Sequence, residues 1–222
     1  MRSPRTKTRK QTTEPMNNAL VIVDPLADFC PGGSLPAPGG DQIMPRINEL
    51  MRTGGYPMVV LVQEEHPPDH ISFASRHGLE PFREITLDDG RRQMLWPDHC
   101  IRGTAGAQPH RALARDRVTH VVKKGGRSET ESYSGFEDED GRETGLTDLL
   151  NANNVRHIDV CGIATDYCVR ATVLDARAPR RDLDTRVLLD ACAGIDASDG
   201  DVDRAINEMR RAGAEIIDHA QS

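Results

Sequence analysis

The 222-residue chain has no run of 18 apolar residues, which excludes a helix able to span the hydrocarbon core of a bilayer. It has no surplus of positive charge either. The formal net charge is −7, so neither nucleic acid nor a membrane surface is expected as its main partner. The first residues lack the apolar segment of a secretory signal, and a cytoplasmic location is the expectation that follows. Cysteine occurs at Cys30, Cys100, Cys161, Cys168 and Cys192, an odd and scattered set with no Cys-x-x-Cys pair. That pattern argues against a disulfide framework and a thiolate zinc site, and for free thiols in a reducing compartment. Aromatic residues make up only 4 %, so the places where rings do occur carry information.

What is present suits one α/β domain, since the length is ample for one such domain and short for two. Residues 1–17 are polar and basic, with Arg2, Arg5, Lys7, Arg9 and Lys10 against Glu14. They hold too little apolar surface to pack, so a disordered, dispensable extension is expected there, ahead of a single domain over residues 18–222. Beyond it, short apolar strands alternate with helical patterns. Strands are expected at 19–23, 58–62, 118–123, 155–161, 185–189 and 214–217. Helices are expected at 41–52, 110–115, 144–153, about 165–177 and 198–212, with Ser198 capping the last. This alternation requires crossover connections. It predicts a three-layer α/β/α fold, a six-stranded mainly parallel sheet with helices on both faces. Residues 63–109 show little periodicity yet hold four histidines and the only Trp, and a loop of that length is usually functional or disordered.

The stretch Asp159-Val-Cys-Gly-Ile-Ala-Thr-Asp-Tyr-Cys-Val169 organises the rest. An apolar strand runs into Gly162, and Thr165 and Asp166 are good helix caps, so Cys168 falls in the first turn of a helix just past a strand's carboxyl end. A thiol there is expected to ionise more easily than a free cysteine, because the helix dipole and free N–H groups favour an anion. Asp24 and Lys124 stand at the carboxyl ends of two other strands, and in a parallel sheet such ends share one edge. Covalent hydrolysis fits these three: a thiol nucleophile needs a base, and Asp24 is the candidate, its pKa raised by burial and lowered again by Lys124. A structural Asp24–Lys124 ion pair beside an inert thiol accounts for the spacing equally well.

Two further groups stand out. Glu64-x-His66 places two side chains on the same side of an extended segment, and His99, with His70 as a further candidate, could complete a catalytic metal site with open positions. Carboxylate and imidazole suit zinc, iron and manganese alike. Phe29, Trp96 and Tyr133 lie in the loops beside these residues, where they could wall a pocket for a flat ring.

The motifs Val21-Ile22-Val23-Asp24…Asp28-Phe29, His66-Pro67-Pro68-Asp69-His70, Trp96-Pro97-Asp98-His99-Cys100, Lys124-Gly125, Ser132-Tyr133-Ser134-Gly135-Phe136 and Gly162-Ile163-Ala164-Thr165-Asp166-Tyr167-Cys168 occur in one order along residues 18–218. Together they resemble the nicotinamidase/pyrazinamidase group of isochorismatase-like cysteine hydrolases. The resemblance implies hydrolysis of nicotinamide, and of pyrazinamide, to the acid and ammonia through a thioester, in NAD salvage. It implies a triad of Asp24, Lys124 and Cys168, and an oxyanion hole from the backbone N–H groups of Ala164 and Cys168 beside a cis Ile163–Ala164 peptide. Phe29, Leu35, Trp96, Tyr133, Ile163 and Tyr167 would contact the substrate. One divalent ion, zinc first and iron or manganese as alternatives, would sit on Glu64, His66 and His99, with His70 nearby, and bind the ring nitrogen. The chain departs from the pattern where Glu64 replaces an Asp, Glu65 a Trp, Leu26 a Gln and Tyr167 a His. Those changes keep two other functions open, an amidohydrolase for carbamoyl or ureido substrates without metal and an inactive binding protein. Association into a homo-oligomer is also left open.

Overall fold

A computed structural model describes residues 17–218. The expected basic extension therefore lies outside the described residues except for Asn17, whose side-chain amide donates to the Asn153 carbonyl at 3.0 Å. Eight strands and five α-helices follow in chain order: β1 Asn18–Val23, α1 Met44–Thr53, β2 Met58–Glu64, α2 Ala74–His77, β3 Arg83–Thr86, β4 Arg92–Leu95, β5 His120–Lys124, α3 Leu146–Ala152, β6 His157–Ile163, α4 Arg170–Arg177, β7 Asp184–Ala193, α5 Asp201–Arg211 and β8 Glu215–Ile217.

Six of the strands form one parallel sheet in the order β5-β2-β1-β6-β7-β8. The central strand β1 is apolar without alternation because both of its faces are covered. Leu20 and Ile22 face the layer that contains α1, with Met44, Ile47, Leu50 and Met51. Ala19, Val21 and Val23 face the layer of α3, α4 and α5, with Leu146, Leu150, Val173, Ala176 and Met209. The strand order runs outward in one direction from β1 through β2 to β5, and in the other from β6 through β7 to β8. The reversal between β1 and β6 is a topological switch point, and the crevice beyond the carboxyl ends of the strands there is where such sheets take ligands.

Two backbone features shape that crevice. Asp24 follows β1 with φ +46°, and its N–H donates to the Val62 carbonyl at 3.0 Å, so the chain turns sharply as it leaves the sheet. Gly162 has φ +122°, and a Cβ there would sit 2.0 Å from the Val23 carbonyl oxygen, so only glycine lets β6 pass this close to β1. The cis Ile163–Ala164 peptide expected from the resemblance is present.

Several local expectations need correction. Residues 110–115 are not helical; a single 3-10 turn occurs at Arg115–Arg117 instead. Thr165 and Asp166 do not cap a helix. Thr165–Val169 is a π-helical turn that leads into α4, and the Asp166 carboxylate accepts the N–H groups of Ile195 and Asp196 at 3.0 and 2.7 Å, tying the turn to the loop after β7. Ser198 does not cap α5, which opens after Gly200 at φ +80° with no side-chain cap. The long connection after β2 contains α2 and an antiparallel β3–β4 hairpin.

Candidate active site

Asp24, Glu64 and Lys124 stand at the carboxyl ends of three neighbouring strands of the main sheet. Glu64 and Lys124 are the last residues of β2 and β5 and pair in register, so their side chains stand next to each other. Asp24 follows β1, and the π-helical turn after β6 carries Cys168 back over the edge of the sheet. The three groups named from the sequence do meet. Lys124 Nζ lies 3.1 Å from Asp24 Oδ2 and donates to Cys168 Sγ at 3.5 Å and to the Ser132 carbonyl at 2.8 Å. Ligand atoms of Asp24, Glu64 and Cys168 all lie within 4.8 Å of one another. Asp24 Oδ1 accepts the Glu64 N–H at 2.8 Å, whereas the buried Oδ2 faces the Lys124 ammonium at 3.1 Å.

The electrostatics follow from burial. Desolvation pushes the Asp24 carboxyl up, the Lys124 charge pulls it back and Glu64 raises it again, leaving it at about 6. Burial presses Lys124 toward neutrality, but the negative charges beside it, Asp24 first and Glu64 with it, more than reverse this and hold it protonated. Cys168 corrects the expectation of an easily ionised thiol. Only 5 % of the residue is exposed, and desolvation drives its pKa well up; Lys124 pulls it down, while Glu64 and Asp24 push it up again. The resting sulfur is therefore a thiol beside a carboxylate, and it needs a base at the moment of attack.

A second cluster adjoins the first through Glu64. Its Oε2 forms an ion pair with Lys124, and its Oε1 lies 3.1 Å from His66 Nε2 and 3.1 Å from His99 Nε2. The outer nitrogens of the two rings are occupied: His66 Nδ1 donates to the Gly125 carbonyl at 2.8 Å and His99 Nδ1 to the Pro97 carbonyl at 2.7 Å. Both Nε2 atoms are thereby aimed at one point beside a carboxylate oxygen, with backbone carbonyls orienting the rings as they do for metal-ligating histidines. Burial presses the His66 ring toward neutrality, yet the Glu64 charge beside it raises its pKa, so the cluster favours positive charge at this spot. Three buried donors, two imidazoles and a carboxylate, with ligand atoms within 4.8 Å of one another, fit a divalent ion. His70 is not among these three, although with His66 and Glu131 it makes a second set of buried donors within 4.8 Å of one another. Its Nδ1 is 2.7 Å from Ser72 Oγ and its Nε2 3.1 Å from the Thr130 carbonyl, and it stacks on His66 with centroids 3.8 Å apart. Burial, reinforced by the His66 charge, pushes its pKa down to about 3, which keeps the ring neutral.

Beside both clusters lies a small cavity lined by Phe29, Leu35, Trp96, Tyr133, Ala164 and Tyr167 together with Cys168, Glu64 and His99. Asp28 ties two of its walls together: Oδ1 accepts the Ser34 N–H beside Leu35 at 3.2 Å, and Oδ2 accepts the Cys100 N–H beside His99 at 2.8 Å. Of the expected ring contacts, Ile163 is absent from the lining. It is fully buried in the core, beneath the loop that holds Gly40. Two lining residues were not anticipated, Glu131 and Ile195. Ile195 follows β7, so the strand-end logic that found Cys168 could have found it. Glu131, whose Oε1 accepts the Ser132 N–H at 2.9 Å and whose Oε2 accepts the Gln93 amide at 3.1 Å, gives no signal in the sequence.

The comparisons with known proteins agree with this arrangement. The isochorismatase domain model matches residues 18–221. The nicotinamidase of Acinetobacter baylyi is 40 % identical over 203 residues, 90 % of this chain and 92 % of that protein. The solved structure of a nicotinamidase/pyrazinamidase from Acinetobacter baumanii is 41 % identical and superposes with a TM-score of 0.86 over 94 % of this chain and 99 % of its own. That of a Pyrococcus horikoshii pyrazinamidase in complex with zinc is 36 % identical, with a TM-score of 0.73 over 91 % of this chain and 99 % of its own. With an isochorismatase domain across nearly its whole length and an acid, an ammonium and a thiol meeting at the switch point of the sheet, the chain belongs to the isochorismatase family.

Proposed function

We propose that the protein is a nicotinamidase, which hydrolyses nicotinamide, and pyrazinamide by the same route, to the acid and ammonia in NAD salvage. The observation that carries this reading is the placement of Cys168 Sγ 3.5 Å from Lys124 Nζ, beside Asp24, in the lining of a small aromatic-walled cavity. The 40 % identity to a nicotinamidase over 90 % of the chain supports the same substrate. In the proposed reaction Asp24 Oδ2 takes the thiol proton as Sγ attacks the carboxamide carbon. The negative charge moves to the carbonyl oxygen, where the N–H groups of Ala164 and Cys168 receive it. One such donor is typically worth ~2.7–4 kcal/mol. Asp24 returns the proton to the departing nitrogen, which leaves as ammonia, and the acyl group remains on sulfur as a thioester. A water that gives its proton to Asp24 then attacks the thioester carbon, the C–S bond breaks, and the thiolate recovers the proton. Lys124 remains protonated throughout and offsets the negative charge shared by Asp24 and sulfur.

A divalent ion, zinc first with iron or manganese as alternatives, would be held by Glu64, His66 and His99, and would supply a positive charge to which a pyridine nitrogen can bind. Phe29, Leu35, Trp96, Tyr133 and Tyr167 would enclose the ring. We read residues 18–222 as one hydrolase domain working in the cytoplasm, with residues 1–17 as an appended basic arm; no helix of the described residues is long and apolar enough to cross a membrane. Ammonia release from nicotinamide by the purified protein and by Cys168→Ala tests the reading. The wild type is expected to release ammonia and the variant to lose at least about three orders of magnitude in rate. An inactive wild type, or a variant as active as wild type, refutes it.

A further inference from the structure

Phe82 is the exception among the four phenylalanines. Phe29, Phe73 and Phe136 are buried, whereas Phe82 is 52 % exposed. Its backbone has φ +61°, a left-handed conformation that bulky side chains rarely adopt. Burial does not explain the ring, and the backbone opposes it. What the residue does make are two specific contacts. Its N–H donates to the Leu95 carbonyl at 2.7 Å, which locks it onto the end of β4, and its ring meets Trp96 edge to face, with centroids 5.8 Å apart and planes at 89°. Trp96 is a wall of the cavity. It is held by a hydrogen bond from its Nε1 to the Tyr133 hydroxyl at 3.0 Å and by an edge-to-face contact with Tyr167 at 4.8 Å. Tyr133 and Tyr167 hold the indole through groups that themselves line the cavity, while Phe82, which does not line it, braces the indole from outside.

We infer that Phe82 is a positioning residue for substrate specificity: by fixing the tilt of Trp96 it sets the width of the slot that receives the aromatic ring of the amide. The inference rests on the nicotinamidase reading. A ring braced at the correct spacing stacks on both walls of the slot. Without the brace the indole can lean outward, and the slot loses its fit to a flat six-membered ring while the chemistry at Cys168 keeps its geometry. Phe82 therefore acts on binding of the ring, so KM should move and kcat should not.

Trp96 is the only tryptophan in the chain, so intrinsic fluorescence reads the slot directly. The experiment compares wild type with Phe82→Ala, Phe82→Gly, Phe82→Leu and Phe82→Tyr, using nicotinate titrated against Trp96 emission, steady-state kinetics on nicotinamide, and thermal unfolding. The Ala, Gly and Leu variants are expected to raise KM for nicotinamide and Kd for nicotinate about 2- to 12-fold, the range of an edge-to-face aromatic contact. Their kcat should stay within about twofold of wild type, and Phe82→Tyr should restore both constants. Phe82→Gly relieves the left-handed backbone, so its Tm should hold or rise while binding weakens, the opposite of a merely structural loss. Should the Ala variant fold poorly, the Gly and Leu variants give the same comparison. Unchanged KM and Kd in the folded variants overturn the inference. A wild type that neither hydrolyses nicotinamide nor responds to nicotinate instead overturns the functional reading beneath it.

Discussion

Lys124 Nζ lies 3.5 Å from Cys168 Sγ, with both side chains shielded from solvent at the carboxyl edge of one parallel sheet. A buried cation beside a thiol would ordinarily favour the thiolate, yet here desolvation and two carboxylates outweigh it and the thiol stays protonated. Reactivity therefore depends on Asp24.

Burial leaves the Asp24 carboxyl at about 6, and it must be ionised to take the thiol proton. The sign follows directly: below that value the base is protonated and the enzyme idle. We predict that kcat/KM for nicotinamide holds above about pH 7 and falls roughly tenfold per pH unit below about pH 6, with the midpoint belonging to the coupled Asp24–Lys124–Cys168 group. A pH–rate profile of the free enzyme checks this. Asp24→Asn should lose activity at every pH, and a profile with no acid limb would remove Asp24 as the base.

Metal retention should separate His99 from His70. His99→Ala should lose the ion, whereas His70→Gln should keep it, because both nitrogens of His70 are engaged elsewhere. Elemental analysis of the purified variants decides between these outcomes.

Gly125 provides a subtler test of the same cluster. Its carbonyl orients His66, its φ is +70°, and a Cβ there would stand 2.7 Å from the imidazole. Gly125→Ala is expected to weaken metal binding by about 10- to 100-fold, as changes to the groups that orient a metal ligand do. Competition with a chelator of known affinity, followed by calorimetry, measures it.

Stability should depend on the close approach of β6 to β1. Gly162→Ala would force a Cβ to within 2.0 Å of the Val23 carbonyl in a left-handed backbone, and we predict a loss of about 3 kcal/mol or more in urea unfolding. A loss under about 1 kcal/mol would mean that the strands separate easily, contrary to a tightly packed switch point.

Much of this was legible in the sequence because a strand buried on both faces is continuously apolar, as β1 is from Ala19 to Val23, and because parallel strands bring their carboxyl ends to one edge. Those two rules bring Asp24, Lys124 and Cys168 to one edge of the sheet. The β3–β4 hairpin was not legible: its strands are only four residues each, β3 is mostly exposed, and so short a segment carries no periodicity to read. Local capping propensity misplaced Thr165 and Asp166, since Asp166 is claimed by the N–H groups of a loop some thirty residues away, which no local pattern encodes. The acidity expected of Cys168 failed for a related reason: position at a helix start is readable from sequence, but the depth of burial and the second carboxylate, Glu64, come only from packing.

The most direct test of the central claim is rapid-quench mass spectrometry of the enzyme during turnover of nicotinamide. The account predicts a transient covalent adduct of one pyridine-carbonyl group on the peptide that contains Cys168, absent from Cys168→Ala. Full turnover with no adduct on that peptide, and ammonia release undiminished in the variant, would contradict it.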